Sequence, residues 1–190
     1  MNRAFSNLKT LLGRENDRLM YQFTPIGSPR HIRTLYLRPA ASSTSPLVCT
    51  ISFICIDESF DEEVGLNYTA LSYSWDAQRP SRPIDVDGRT IYVTPNCEAA
   101  MRQLRSSTEA VILWIDSICI DQSPGAIEER NQQVALMGEI YKRAKKVVVW
   151  LGEGNAATDR AMRTLVDIVG KSPEDLMLRG ARIVKHTVSE

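Results

Sequence analysis

Residues 113–122 read LWIDSICIDQ, and together with the two residues before them they decide the fold. The run Val111-Ile112-Leu113-Trp114-Ile115 shows no polar alternation. A strand that is apolar on both faces is covered on both faces, which predicts a central place in a layered α/β sheet. The run stops at Asp116, and Asp121 and Gln122 follow at once. A buried strand therefore delivers two carboxylates and an amide to one short loop.

Downstream, Ser123-Pro124 reads as a cap followed by a first-turn proline. A helix of roughly 17 residues is expected from about Ile127 to Ala144. Lys145-Lys146 at its end complement the helix macrodipole. Val147-Val148-Val149-Trp150-Leu151-Gly152 reads as a second buried strand. Residues 156–169 read as an amphipathic helix with Ala161, Met162, Leu165, Val166 and Val169 on one side. Strand, helix, strand, helix is a βαβα unit, so a parallel sheet with right-handed crossovers is expected. From Lys171 onward the chain is weakly patterned.

Upstream, Tyr68 to Trp75 (YTALSYSW) is a further strand. Ile84-Asp85-Val86, Asp87-Gly88 and Ile91-Tyr92-Val93 predict a hairpin, because glycine tolerates the positive φ of a type I′ turn. Pro95 or Asn96 opens a helix to about Arg105, with Thr94 or Asn96 as cap and Ala99, Ala100, Met101 and Leu104 on its apolar side. Ile32–Leu37 and Leu47–Ile56 flank the low-complexity stretch AASSTSP at 40–46 and suggest another hairpin. The acidic stretch Asp57 to Glu63 reads as a solvated loop.

The bulk composition excludes several classes. At 190 residues and 43% apolar content the chain fits one domain of ordinary size with a real core. Its 23 basic and 23 acidic residues balance, so neither nucleic acid nor an anionic membrane is an expected partner. The apolar runs are far too short for a membrane span. MNRAFSNLKTLLGREN has no long apolar core and reads as an arm or short amphipathic helix, not a signal peptide. Cys49, Cys55, Cys97 and Cys119 form no CxxC pair, and His31 and His186 lie near opposite ends, so no metal site is expected. Reduced thiols in a cytoplasmic setting are the default, and Cys119 between two isoleucines reads as a buried thiol.

Polar residues in unexpected places point to a site. On a wheel at about 100° per residue, Val134, Met137, Ile140, Tyr141 and Ala144 define the buried direction of the 127–144 helix. Gln133 falls near its centre, with Glu129 and Arg130 within about 60° on either side. Glu128 points outward. The first turn of a crossover helix lies at the carboxyl end of the preceding strand, so Asp116, Asp121, Gln122, Glu129 and Arg130 are expected at one rim. Parallel sheets bind ligands at that rim. The competing expectation is a satisfied polar network in which Asp116 caps a turn, Asp121 caps the helix and Arg130 pairs with Asp116 or Glu129.

Three blocks in order, YTALSYSW (68–75), LWIDSICIDQ (113–122) and EERNQQVALMGEIYKRAKKVVVWLG (128–152), resemble the heterokaryon incompatibility (HET) domain of filamentous fungi. IRTLYLRP, IDVDGRTIYVTPN and Leu104-Arg105 fit the same pattern, and the resemblance covers roughly residues 30–155. It implies an organisation of N-terminal arm (1–29), HET domain (30–170) and tail (171–190). Members of the family continue well past the domain, so three expectations stand open for the tail: a fragment, a short paralogue or a gene model cut early.

The resemblance further implies nonself recognition and programmed cell death after fusion of unlike cells. It implies a TIR-like, flavodoxin-like α/β fold, a mostly parallel sheet flanked by helices, with the N-terminal hairpin and the 84–93 hairpin added. Some TIR domains cleave NAD, which makes NAD the expected substrate, with no other cofactor, and Glu129 the expected catalytic carboxylate. Ser72, Ser74, Trp75, Asp116, Asp121, Gln122 and Arg130 are then substrate-binding: Trp75 stacks on a ring, a serine bonds a hydroxyl, Asp116 holds ribose hydroxyls or orients Arg130, and Arg130 holds a phosphate. A homo-oligomer and an upstream recognition protein are the implied partners. Asp76 stands where the family usually has glycine after the tryptophan, which leaves the activity of that loop open. The rival reading is a self-associating signalling module or an inert paralogue, with Arg79 and Arg82 on a contact surface. An open cleft and a raised carboxyl at Glu129 favour catalysis; a filled, paired network favours the module.

Overall fold

The computed structural model describes residues 19–57, 66–75 and 77–154, together with 160, 177–178 and 181–182. The expected helix at 156–169, the N-terminal arm up to residue 18, Asp76 and most of the acidic loop lie outside the described residues.

Seven strands form one sheet in the order β5-β4-β2-β1-β6-β3-β7. They are β1 (His31–Leu37), β2 (Val48–Cys55), β3 (Leu66–Tyr73), β4 (Arg82–Val86), β5 (Arg89–Val93), β6 (Val111–Ile115) and β7 (Ala144–Trp150). A two-residue pair, β8 (Met177–Leu178) and β9 (Ala181–Arg182), is separate. Pro95–Leu104 is α1, Asp116–Cys119 is the single turn α2, and Ile127–Arg143 is α3.

The unpatterned strand is where its composition puts it. β6 lies between β1 and β3, and Leu113, Trp114 and Ile115 are fully buried. β3 pairs in parallel with both β6 and β7, so the crossover through α3 skips one strand. The expectation of a mostly parallel sheet is corrected. Three of the six pairings are antiparallel, those of β1 with β2, β1 with β6 and β4 with β5; β2 with β4, β3 with β6 and β3 with β7 are parallel. The N-terminal hairpin is not appended to a parallel core. β1 is inserted beside β6, and its residues Ile32 to Leu35 are buried on both faces. That burial, rather than a polar outer face, hides its role from an alternation test.

The hairpin turn is as expected: Asp87 and Gly88 both take positive φ, 53° and 74°. Thr94 caps α1 by accepting from the Cys97 N–H at 3.2 Å, with Pro95 in the first turn. Around α3 three details differ. Ser123 makes no capping bond and opens a 3₁₀ turn, Pro124–Ala126, instead. Strand β7 begins at Ala144, so Lys145 and Lys146 belong to the sheet, and Lys142 and Arg143 are the cations at the helix end. Val134 is exposed while Gln133 is buried. The inward stripe is centred on Gln133, whose Nε2 donates to the His31 carbonyl at 3.0 Å and so offsets part of the cost of burying an amide, while its buried Oε1 has no partner among the described residues.

Candidate functional site

Two carboxylates stand near the carboxyl ends of the parallel strands, in opposite environments. Glu129, in the first turn of α3, meets Arg33 of β1, not Arg130. The pair is bidentate, with Arg33 Nη1 to Oε1 at 2.7 Å and Nη2 to Oε2 at 3.1 Å. Arg33 is wholly buried while the Glu129 side chain keeps 17% exposure. Its Nη groups also donate to the carbonyls of Cys119 at 3.1 Å and Thr24 at 2.6 Å. The guanidinium lies over the rings of Phe23 and Phe53, at 5.1 and 5.8 Å from their centroids. Glu129 Oε2 accepts a further bond from the Ile26 N–H at 3.1 Å. Burial alone would raise this carboxyl, but the Arg33 bonds and the Ile26 and Asp121 N–H groups outweigh it and hold the group below its ordinary value.

Asp116 is the opposite case. It ends β6 and starts α2, and its Oδ1 accepts from the Ser117 N–H at 2.7 Å. Burial raises its carboxyl above the ordinary value, against lowering bonds from that N–H and from the Trp75 side chain. Trp75 keeps 45% exposure. The Tyr141 hydroxyl is pushed up to about 12, first by burial and then by the Asp116 charge, and is hydrogen-bonded to Ser72. Ser72, Trp75, Asp116 and Tyr141 thus form one group. Beside it the Tyr73 hydroxyl donates to Ser117 Oγ at 2.7 Å, and burial pushes the neighbouring Cys97 thiol up to about 11, where it is no nucleophile at neutral pH.

The remaining expected residues shape the loop. Asp121 Oδ1 accepts from the Ser123 N–H at 2.8 Å. Gln122 Nε2 donates to the carbonyls of Ile120 and Asp116 at 3.2 and 3.3 Å. Arg130 reaches the Gln122 carbonyl at 3.5 Å. The Ser74 carbonyl accepts from Asn96 Nδ2, and Asn96 Oδ1 accepts from Trp150 Nε1, both at 2.7 Å. The predicted set therefore divides: Ser72, Trp75 and Asp116 come together, Asp121, Gln122 and Arg130 form the loop, and Glu129 is tied to Arg33. A depression of about 400 Å³ is lined by Thr24, Pro25, Gly27, Ser28, His31 and Phe53. None of these residues was expected at the site. Among the described residues no three His, Cys, Asp or Glu gather to hold a metal, and no helix is long and apolar enough to cross a membrane.

Arg33 and Tyr141 were missed as site residues. Arg33 left one signal, a lone cation inside an otherwise apolar strand, IRTLYL.

The fold and its rim define an α/β domain with a carboxylate at the end of its central strand. The chain belongs to the heterokaryon incompatibility (HET) family, whose model matches residues 68–185. It is similar to heterokaryon incompatibility protein 6, OR allele, of Neurospora crassa, with 36% identity over 151 residues, covering 73% of this chain. The chain spans 21% of that protein's length. No solved structure matches the chain.

Proposed function

We propose that the chain acts in fungal heterokaryon incompatibility as a self-associating signalling module in which Glu129 is structural. Family membership and the similarity to the Neurospora protein support the process. The reading against Glu129 catalysis is carried by one observation: both of its oxygens are occupied, by a fully buried guanidinium and a backbone N–H. A carboxylate so paired has little charge left for a developing oxocarbenium ion. Programmed cell death as the outcome, a cytoplasmic place of action and an upstream recognition protein belong to this reading.

A second reading is favoured by the Asp116 group. If the domain follows TIR-like chemistry, breaking the nicotinamide–ribose bond and giving the ribose to water, nicotinamide leaves as a neutral ring that needs no proton, and the ionised Asp116 carboxylate beside half-exposed Trp75 is the better placed group for the oxocarbenium charge. The test is NAD consumption by the purified chain at high concentration, with Glu129→Gln and Asp116→Asn variants, alongside its mass by light scattering. The module reading expects concentration-dependent association and no nicotinamide release. Release abolished by Asp116→Asn would move the assignment to the second reading. Release abolished by Glu129→Gln in a folded, Asp116-intact chain would restore Glu129 as catalytic.

A further inference from the structure

We propose that the outer edge of β2, from Ile51 to Cys55, docks an extended segment of another protein, one with an apolar residue between basic ones. The proposal is independent of the roles given to Glu129 and Asp116 above.

The edge follows from the register. At the two ends of the antiparallel β1–β2 ladder, the Arg38 N–H donates to the Val48 carbonyl and the Ile56 N–H to the Arg30 carbonyl, both at 2.9 Å. Even-numbered residues of β2 therefore turn their backbone groups towards β1, and odd-numbered ones turn theirs away. The outward groups are satisfied only as far as β4 and its turn reach. The Leu47 and Cys49 carbonyls accept from the N–H groups of Asp85 and Asp87 at 2.9 and 3.1 Å, and the Ile51 N–H donates to Asp87 Oδ2 at 3.2 Å. There the hairpin turns back. Beyond it the Ile51 carbonyl, the Phe53 N–H and carbonyl and the Cys55 N–H have no backbone partner among the described residues.

The chemistry of this edge defines what fits. Donors and acceptors that alternate along about 14 Å of strand match the backbone of another strand. Ile51-Ser52-Phe53-Ile54-Cys55 carries no charge and no proline, two devices that keep a free edge from pairing. Phe53 is 41% exposed and forms one wall of the 400 Å³ depression, with Pro25 and His31. An added strand places alternate side chains on the Phe53 face, so an apolar one reaches the depression. Charge sets the flanks. Asp87 stands at one end, and past the other the chain runs through Asp57-Glu58-Ser59-Phe60-Asp61-Glu62-Glu63, with no lysine or arginine among them. A basic segment complements both ends, whereas a second copy paired antiparallel would bring the same acids against them.

The test titrates the ¹⁵N-labelled whole chain with acetyl-Lys-Val-Lys-Phe-Lys-Val-Lys-amide. Two control peptides carry N-methyl groups, one at Val and Phe and the other at Lys, and a third has Glu for Lys. Docking predicts saturable amide shifts centred on residues 51–55. They should be lost with one of the two methylated peptides, whichever places its blocked groups against β2, and binding should weaken about tenfold or more with the Glu peptide. Cys55→Pro removes an outward N–H without touching the β1 ladder and should block the shifts. No saturable shift at about 1 mM peptide refutes the proposal. So does binding that both methylated peptides share, or shifts centred elsewhere. Slow hydrogen exchange at the Phe53 and Cys55 amides of the peptide-free chain also overturns it, because the edge is then already covered. Protection that grows with protein concentration assigns that cover to a second copy, and constant protection assigns it to the chain itself.

Discussion

Replacing Glu129 by alanine would leave Arg33 buried and charged. The guanidinium makes four hydrogen bonds, two to Glu129 and two to the carbonyls of Thr24 and Cys119. Nε already has no partner. Glu129→Ala removes two of the four bonds and, among the described residues, the only countercharge in contact. Removing one partner of a buried pair typically costs about 3–5 kcal/mol. The lower end, about 3 kcal/mol, applies here, because Glu129 keeps some exposure and water can enter from its side. For a chain of this size that is a fall in Tm of roughly 6–12 °C, read by circular dichroism at pH 7 with urea midpoints as a second measure. Arg33→Met with Glu129→Leu removes both charges together and should cost less than Glu129→Ala alone. A Glu129→Ala loss within about 0.5 kcal/mol, the range of an ordinary surface change, would refute the reasoning.

The pH dependence follows from the same pair. The folded Glu129 carboxyl is held below its ordinary 4.5. Its contribution is therefore complete above that value and fades as pH falls through the lower folded value. Wild type should lose stability on acidification more steeply than Glu129→Gln does.

Asp116 has the opposite sign. Its folded value is raised, so its charged form costs stability once pH rises through that value, and Asp116→Asn should stabilise the chain at pH 7 relative to pH 3 in urea titrations. Asn96→Ala takes the acceptor from the indole N–H of buried Trp150, and should cost about 1–3 kcal/mol in the same measurement. Thr94→Ala removes the α1 cap for about 1 kcal/mol. Gly88→Ala, at φ 74°, should cost about 1 kcal/mol through left-handed strain although its side chain meets no neighbour.

The sequence made legible what depends on local pattern. The unbroken apolar run of β6, the Asp-Gly turn, the Thr94 cap and the inward turn of Gln133 each follow from short-range rules, and each is present. Pairing partners were not legible in that way. β1 reads like half of a peripheral hairpin, and only its long-range register against β6 carries Arg33 to Glu129. Arg130 was the nearer cation in sequence, so it was the natural partner to expect, yet its side chain stays with the loop. Val134 failed for a related reason: a helix stripe is set by what faces it, and here the His31 carbonyl faces Gln133.

The two rim carboxylates bear on function through opposite energetics. For Glu129 the Arg33 bonds and the backbone N–H groups together outweigh its burial, and that environment is what a structural ion pair needs. Asp116 is half-buried with donors that do not offset its desolvation, and its neighbours Trp75, Tyr141 and Ser72 are an indole and two hydroxyls rather than a countercharge. A fold that needed Asp116 only to end a strand would lose nothing with asparagine there, since an amide oxygen can accept the same Ser117 and Trp75 bonds. Carrying a raised carboxyl at the carboxyl end of β6 is stability given up, and such sacrifices cluster where a group must change its charge or meet a ligand. Chemistry in this domain, if NAD turnover reveals any, should therefore fail first in Asp116→Asn, while Glu129→Gln should fail only as far as it loosens the fold.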